Sequence, residues 1–418
     1  MTTSVHAGDL LEPAARLRLT IVLGLLTTLG PFTIDLYVPA FPAMAMSLGT
    51  TASAVQATLA GTTIGFALGQ PLIGPLSDRV GRRVPLIIAT LMHVVASLAC
   101  AFAPDVVALT ALRFLMGAAA AGSGVVAAAM VRDLYRGVPM MRLSARLGMI
   151  NGVAPIVAPL IGALLLQWVD WRGIFWALAG FGAAVVIATI AAVPETLEVE
   201  HRTNGGFREL RDTASTVLRD RAFVGFGVIG GFVWASQFAV IAGSPFYFQD
   251  AVGFNVVQYG GYYAVLALGF VGGAQASARL AHRISPDRQL VAATAAMTVG
   301  GATSIIAALG GSPLALAIAL WLSVVGAGVA VPCSRALSMN RVARRGAGTA
   351  AAILGAGSFL LAGLVSPLAG AAPNLPAVAM GIVMAGCSVV AVVLAVGVRR
   401  VGAGWDEPSL PGASGGST

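Results

Sequence analysis

The chain has 418 residues, of which 57% are hydrophobic and only 10% are charged, and its mean hydropathy is +0.87. Soluble proteins carry roughly 25% charged residues, so this composition excludes an ordinary soluble domain. The formal net charge is +8, but its arginines stand singly or in pairs between apolar segments. That spacing argues against a nucleic-acid-binding surface.

Apolar segments of about 20 residues recur along the chain, the length that crosses a ~30 Å hydrocarbon core as a helix. Helices are expected because each segment must satisfy its own backbone polar groups in lipid. The predicted fold class is therefore all-α integral membrane protein, with twelve transmembrane helices in two six-helix bundles. The predicted spans lie at about 19–41, 54–74, 85–103, 106–131, 147–167, 173–193, 223–245, 256–278, 289–309, 314–333, 347–369 and 375–398.

The polar stretches between these spans divide the predicted chain into five parts. They are an N-terminal arm (1–18), a first bundle (19–193), a linker (194–222), a second bundle (223–398) and a disordered tail (399–418) rich in Gly, Ser and Pro. The first residues lack the features of a cleaved signal peptide, so span 1 is expected to remain in the mature protein.

The arginines predict the orientation of the spans. Twenty-three of the 25 arginines fall in the arm, the tail or the loops on the same side, and only Arg172 lies on the opposite side. By the positive-inside rule, both termini and the linker are expected in the cytoplasm.

Asp35 is the only carboxylate that falls inside a predicted span, and Arg113 is the only arginine that does so. At 1.5 Å per residue, both are expected ~10 Å below the outer surface, in spans 1 and 4. An ionised group at that depth is costly and usually functional. Arginine favours the ionised carboxylate and desolvation favours the protonated one, so the pair could load and release a proton. The alternative is a static ion pair that fixes helix packing.

The loop between spans 2 and 3, GPLSDRVGRR (74–83), is a specific local signal. Gly74 and Gly81 are expected to permit a sharp turn, and Asp78 to accept hydrogen bonds from a helix N-terminus. Three arginines would hold the turn at the membrane surface. They are Arg79, Arg82 and Arg83.

Several of these segments together resemble the major facilitator superfamily. GPLSDRVGRR resembles its loop 2–3 signature, and LGPFTIDLYVPAFP (29–42) resembles the span 1 signature of its twelve-helix drug/proton antiporters. ALRFLMG, with Arg113, resembles the span 4 signature, although Met116 stands where Gln is more usual. NGVAPIVAPLIGALL (151–165) is similar to the antiporter motif of span 5, with alanines at two glycine positions. PETL (194–197) and GSPFYFQ (243–249) resemble the bicyclomycin/chloramphenicol-resistance branch.

The resemblance implies alternating access by two six-helix domains in a bacterial inner membrane, without a cofactor and as a monomer. It implies that Asp35 is the proton-linked acid and Arg113 its partner or relay. Asp78 would face the start of span 11, near residues 346–349, in one conformation and release it in the other. In span 5 the residues that would shape a leak-tight interface are Gly152, Pro155, Pro159 and Gly162.

Five further residues are candidates for the wall of a substrate cavity, because aromatic walls with few polar groups suit amphiphilic ligands. They are Tyr37, Asn151, Trp234, Gln237 and Phe238. Each could equally pack or hydrogen-bond between helices.

The expected function is efflux of an amphiphilic, drug-like molecule in exchange for protons. Export of a specific endogenous metabolite is the alternative within the same class. A membrane-embedded enzyme is a weaker hypothesis, because the spans show no metal-ligand cluster, nucleophile–base arrangement or phosphate-binding loop. A channel would require a repeated pore-lining ring of charge, which the sequence lacks.

Overall fold

The structure is a computed structural model that describes residues 12–202, 206–342 and 347–402. The predicted arm and tail therefore lie largely outside the described residues. The helices are α1 (Pro13–Asp35), α2 (Phe41–Ser47), α3 (Ala52–Val80), α4 (Arg83–Ala101), α5 (Val106–Leu134), α6 (Gly137–Leu165), α7 (Trp171–Ala192), α8 (Gly206–Arg219), α9 (Arg221–Pro245), α10 (Val256–Leu280), α11 (Pro286–Leu309), α12 (Pro313–Met339), α13 (Ala347–Val365) and α14 (Pro376–Gly402).

In the described ranges twelve helices are long, and ten of them meet the length and hydropathy of a membrane span, α1 being counted together with α2. The other two, α3 and α10, have 29 and 25 residues but are richer in Thr, Gln, Gly and Tyr. Both pack between other helices, α3 against α5 and α13, and α10 against α12 and α6. Their lower hydropathy reflects these helix contacts, since a face turned away from lipid need not be apolar.

Several helices are longer than the apolar segments that predicted them. α1 begins at Pro13, α3 continues to Val80, and α6 begins at Gly137 rather than near residue 147. Hydropathy marks the thickness of the hydrocarbon core, whereas a helix continues into the polar layer wherever its backbone bonds remain intact. The predicted polar loop after span 4 therefore shrinks to Tyr135 and Arg136.

The predicted linker contains a helix of its own, the amphipathic α8. It contacts α3, α9 and α13, and its Val217 is buried beside Phe223 and Ala350. The helical part of the linker therefore packs against helices of both bundles.

The contacts between helices repeat in the two halves of the chain. In the first half α3 packs on α5, α4 on α5 and α7, and α1 on α5, α6 and α7. In the second half α10 packs on α12, α11 on α12 and α14, and α9 on α12, α13 and α14. The two sets of six helices meet along two seams, α3 with α13 and α6 with α10. The repeat that relates the two halves also relates these two seams to each other. The amino-acid sequence showed this repeat only weakly.

Reciprocal glycines explain why two equivalent helix pairs pack so closely. A Cβ at Gly65 of α3 would collide with the backbone of α5, and one at Gly117 of α5 would collide with the backbone of α3. Gly273 of α10 and Gly328 of α12 stand in the same relation. Small residues that permit such backbone approach are a general feature of membrane helix pairs.

The first helix of each half loses its regular α-helical pattern at an equivalent point. After Asp35 the chain passes through a 3₁₀ turn (Val38–Ala40) into α2, and after Pro245 it forms a π-helical turn (Phe246–Ala251). Pro39 has no N–H for the carbonyl of Asp35, and Pro245 has none for the carbonyl of Ile241. The breaks lie near the end of the molecule opposite to the start of α1 and the end of α14. We call that the far end and the other the terminal end.

Candidate functional site

Asp35 is the last residue of α1, and its side chain is 95% buried. Its carboxylate accepts a hydrogen bond of 2.9 Å from the phenol of Tyr263, which lies on α10 in the other set of helices. The buried acid that the sequence singled out is therefore part of a contact between the two sets. Sequence reasoning missed Tyr263, because no motif marks it and only the packing of α10 against α6 and the turn after α1 brings it to Asp35.

Arg113 is fully buried on α5, where its guanidinium carbon lies 3.7 Å from the centre of the Tyr37 ring. Its Nη2 donates to the backbone carbonyl of Thr33 at 2.9 Å. Thr33 lies in the last turn of α1, so Arg113 places a positive charge at the C-terminal end of that helix, where the helix dipole favours it.

The predicted ion pair between Asp35 and Arg113 is absent from the described residues, although α1 and α5 are in contact. Arg113 reaches the backbone of α1 at Thr33 rather than the side chain of Asp35. The carbonyl of Thr33 faces α5, whereas the carboxylate of Asp35 faces α10. The sequence placed the two charged groups on helices that contact each other, α1 and α5, but could not give the directions of their side chains.

A second polar contact fixes the same turn of α1. The hydroxyl of Thr33 lies 2.8 Å from Nε2 of His93, a fully buried residue of α4. Thr33 is thus held by its carbonyl to α5 and by its side chain to α4. Both contacts stabilise the end of α1, on which the position of Asp35 depends.

The far end is closed by further hydrogen bonds between the two sets. The side-chain amide of Gln56 donates to the carbonyl of Ala242 at 3.0 Å, and that of Gln249 donates to the carbonyl of Pro39 at 3.0 Å. Ser53 donates to the carbonyl of Pro367 at 2.9 Å.

Three glycines of α6 and α10 have open space beside them. A Cβ built on Gly148 or Gly152 of α6, or on Gly272 of α10, would have no neighbour within 4 Å.

The five predicted cavity residues do not form one group. Tyr37 is buried under Arg113, with its hydroxyl 3.4 Å from that of Thr58, and Asn151 is exposed on α6. Trp234, Gln237 and Phe238 share one face of α9, because residues three and four apart are neighbours on a helix.

The loop between α3 and α4 differs from its prediction at two residues. Gly74 lies inside α3 and forms no turn; the turn is made at Gly81, whose φ of +104° favours glycine. Asp78 lies in the last turn of α3 and pairs with Arg82, four residues later, instead of capping a helix. The sequence predicts that Asp78 faces residues 346–349 at the start of span 11. Of these, residue 346 lies outside the described residues.

The three arginines of this loop have different surroundings. Arg82 is buried, and its Nε donates to Asp133 of α5 at 2.8 Å. Arg83 donates to the carbonyl of Ile190 at 2.9 Å, at the end of α7. Arg79 is exposed. Asp133 was missed in the sequence, where it is one of several acids near a span end.

The residue that caps α4 is Glu195, from the PETL segment. Its carboxylate accepts hydrogen bonds from the backbone N–H groups of Arg82 and Arg83 at 2.7 and 3.1 Å. Partial burial opposes ionisation of Glu195, but these bonds and those from Thr196 and Leu197 hold its pKa below the ordinary value. The sequence predicts that Asp78 caps a helix N-terminus. The N-terminus of α4 is instead capped by Glu195, which lies 113 residues after Arg82 in the sequence.

In α6, the four residues of the antiporter motif have unequal roles in packing. Position 162 requires a glycine, because a Cβ there would collide with the carbonyl oxygen of Leu36, the residue that follows Asp35. Pro155 and Pro159 lie within α6, and the carbonyl of Pro159 lies beside Gly260 of α10. Gly152 faces open space.

Comparison with known proteins agrees with this architecture. Residues 23–367 match the family described as Major Facilitator Superfamily. An uncharacterized MFS-type transporter of Bacillus subtilis, YdgK, is 34% identical over 372 residues, covering 88% of this chain and 92% of that protein. A bicyclomycin resistance protein homolog of Haemophilus influenzae is 24% identical over 378 residues, covering 89% of this chain and 94% of the relative.

Among solved structures, a bacterial homologue of the human lysosomal transporter Spinster, in an inward-facing and occupied conformation, has the same fold. Its TM-score is 0.74 at 16% identity, with 93% of this chain and 98% of that chain covered. The family match and these relatives also confirm the resemblance to the bicyclomycin-resistance branch and indicate a membrane transporter rather than an enzyme. The chain therefore belongs to the Major Facilitator Superfamily.

Proposed function

We propose that the protein exports drug-like molecules in exchange for protons, by alternating access with its terminal end in the cytoplasm. The observation that carries the proposal is the hydrogen bond between Asp35 and Tyr263. The acid most suited to bind a proton is also one of the groups that hold the two sets of helices together toward the far end. Proton binding and opening of the far end would thus act on the same contact.

The proposed cycle follows from the chemistry of that bond. Tyr263 donates to an ionised Asp35, so protonation from the far side replaces a charge-assisted hydrogen bond with a weaker neutral one. Asp35 can take that proton only while the far end is open, so substrate that binds from the cytoplasm would supply the free energy that opens it. The protonated acid would then return to the far-end-closed conformation and release its proton to the cytoplasm, after which the ionised Asp35 again accepts from Tyr263 and holds the far end closed.

Arg113 contributes to this proposal as the residue that holds the end of α1. Its bond to the carbonyl of Thr33 and its contact with Tyr37 fix the turn from which Asp35 projects. We therefore assign the proton to Asp35 and the orientation of Asp35 to Arg113.

The orientation rests on the arginine distribution, and the class of substrate rests on the relatives. The bicyclomycin resistance protein homolog spans most of this chain, which favours an antibiotic or another drug-like compound. Two sets of helices with equivalent seams suit a rocking motion about a central site.

The test uses inverted membrane vesicles with an internal-pH dye, to which chloramphenicol, bicyclomycin or a cationic dye is added. We expect proton release in the wild type, none in Asp35→Asn, and a reduced rate in Tyr263→Phe, which loses only the hydroxyl. Asp250→Asn is the matched control, since Asp250 is an exposed acid in the π-helical turn. Unaltered proton release by Asp35→Asn would refute the assignment.

A further inference from the structure

Three exposed arginines lie toward the terminal ends of α6 and α10, the two helices that form one of the seams. Arg142 and Arg146 are one turn apart on α6, and Arg279 lies in the last turn of α10. We call these three residues the seam arginines. α6 belongs to the first set of helices and α10 to the second, so the seam arginines come from both sets.

The seam arginines lie at a similar depth in the molecule. The two helices run in opposite directions, and toward the far end Gly260 of α10 lies beside Ala163 of α6. Arg146 is 17 residues from Ala163 toward the terminal end, and Arg279 is 19 residues from Gly260 in the same direction. At 1.5 Å per residue these separations are ~26 Å and ~29 Å. The arginines of the two helices are therefore nearly level with each other.

On α6 the arginines belong to a stripe that continues toward the far end with apolar side chains. Met149 and Val153 follow Arg142 and Arg146 at steps of three and four residues, which places all four on one face of the helix. Met149 is 64% exposed and Val153 is 50% exposed. An exposed apolar face of a membrane helix contacts lipid chains, and this one ends in two positive charges toward the terminal surface.

α10 carries an equivalent stripe. Val265, Leu268 and Arg279 share one face of the helix, and the two apolar residues are 51% and 57% exposed. On each helix the stripe lies about a quarter turn from the residue at the seam, Ala163 or Gly260. Because the helices are antiparallel, rotation in the same sense on both brings the two stripes to the same outer side of the seam.

The charges of the seam arginines are not balanced within the described part of the chain. Their side chains form no ion pair and no hydrogen bond there. The acids closest to them in the sequence are Asp133 and Asp287, which pair with Arg82 and Arg399 instead. This surface therefore presents three positive charges above two apolar stripes.

We propose that the seam arginines bind the phosphate of one anionic phospholipid in the leaflet at the terminal end, with its acyl chains along the two stripes. A guanidinium can donate two parallel hydrogen bonds to phosphate oxygens, and basic surfaces between membrane helices suit anionic headgroups. A soluble phosphate would meet the charges but leave the apolar stripes uncovered. The lipid would bridge the two sets of helices. This inference goes beyond the proposed function and does not depend on it.

The experiment counts lipids bound to the purified full-length protein in a neutral detergent, by native mass spectrometry. The probe is dioleoyl phosphatidylglycerol, and the comparison is dioleoyl phosphatidylcholine, which has the same chains and no net charge. We expect one phosphatidylglycerol to bind at least about tenfold more tightly than phosphatidylcholine. Glycerol 3-phosphate, which carries the phosphate without the chains, should not displace it.

The variants test each side of the seam separately. Arg142→Gln with Arg146→Gln should weaken the binding of phosphatidylglycerol about thirtyfold, at about 1 kcal/mol for each arginine. Arg279→Gln should weaken the binding of the same single lipid about fivefold. Arg211→Gln with Arg219→Gln is the matched control, because it removes the same charge from exposed positions of α8 and should leave the affinity unchanged.

Three results would overturn the proposal. Two tightly bound phosphatidylglycerols in the wild type, with one lost in each seam variant, would mean that the two helices hold separate lipids. Equal weakening in the α8 variant, or equal affinity for phosphatidylcholine, would mean that the seam arginines form no specific site. Displacement by glycerol 3-phosphate would mean that the site takes a soluble anion. None of these results would alter the proposed proton exchange, which is measured separately in vesicles.

Discussion

At the scale of single residues, the acid that caps the N-terminus of α4 is far from that helix in the sequence. Glu195 accepts the N–H groups of Arg82 and Arg83 at the start of α4, while Asp78, closer along the chain, pairs with the side chain of Arg82. Gly81 is part of the same arrangement, since a Cβ there would lie 2.6 Å from the carboxylate of Glu195. The turn, the cap and the end of α7 therefore form one unit at the terminal end.

The lowered pKa of Glu195 makes the stability of this unit dependent on pH. A carboxylate whose pKa is lower in the folded state stabilises it above its unfolded value, here 4.5, and loses that contribution as the pH falls through the folded value. We expect Glu195→Gln to lower the melting temperature at pH 7 and to reduce the further loss on acidification below pH 4.5. Thermal unfolding in detergent at both pH values measures this.

Glu200→Gln is the control for that experiment, because Glu200 lies in the short 3₁₀ turn after the PETL segment and gives the same change of charge. An equal loss of stability in Glu195→Gln and Glu200→Gln would contradict a specific role of the cap.

At the scale of helices, the sequence predicted where the spans lie along the chain. It did not predict toward which neighbouring helix each side chain points. Apolar length is a property of each segment, so the long helices follow from hydropathy. The side of a helix to which Asp35 or Arg113 points depends on the rotation of α1 against α5 and α10, and no local pattern encodes that rotation. For the same reason Tyr263, Asp133 and Glu195 emerged only with the packing, although PETL was noted as a family segment.

The contact between α6 and the turn that follows α1 gives a prediction about the packing of these two helices. Gly162 lies against the carbonyl of Leu36, so Gly162→Val must push the break away from α6 or separate the helices. Overpacking of this kind costs about 1–3 kcal/mol. We expect a lower melting temperature and loss of proton-coupled transport, because the displaced turn carries Asp35.

Gly152→Val provides the comparison within the same helix and the same motif. Gly152 has no neighbour within 4 Å of a Cβ in this conformation, so the added side chain meets no backbone. We expect its melting temperature to stay near that of the wild type. Equal destabilisation at the two positions would show that the α1–α6 contact is not what constrains Gly162.

At the scale of the whole molecule, the two sets of helices are joined by a small number of directed bonds at the far end. Gln56 and Gln249 each reach across to a carbonyl, and Asp35 accepts from Tyr263. Those carbonyls, of Ala242 and Pro39, lie close to where α9 and α1 leave regular helix. The acceptors that close the far end are therefore located next to the two helix breaks.

Removal of the two amide bonds should shift the whole molecule toward a conformation that is open at the far end. A net contribution of about 1 kcal/mol for each bond predicts that Gln56→Leu with Gln249→Leu raises the far-end-open population about thirtyfold relative to the closed one. Spin labels on Met46→Cys and Leu375→Cys, exposed residues of opposite sets at the far end, would report longer distances by electron paramagnetic resonance. Gln275→Leu makes the same chemical change on an exposed position of α10 and should leave the distances unchanged. Distances that stay the same in the double variant would mean that apolar packing along the two seams, rather than these bonds, holds the far end shut.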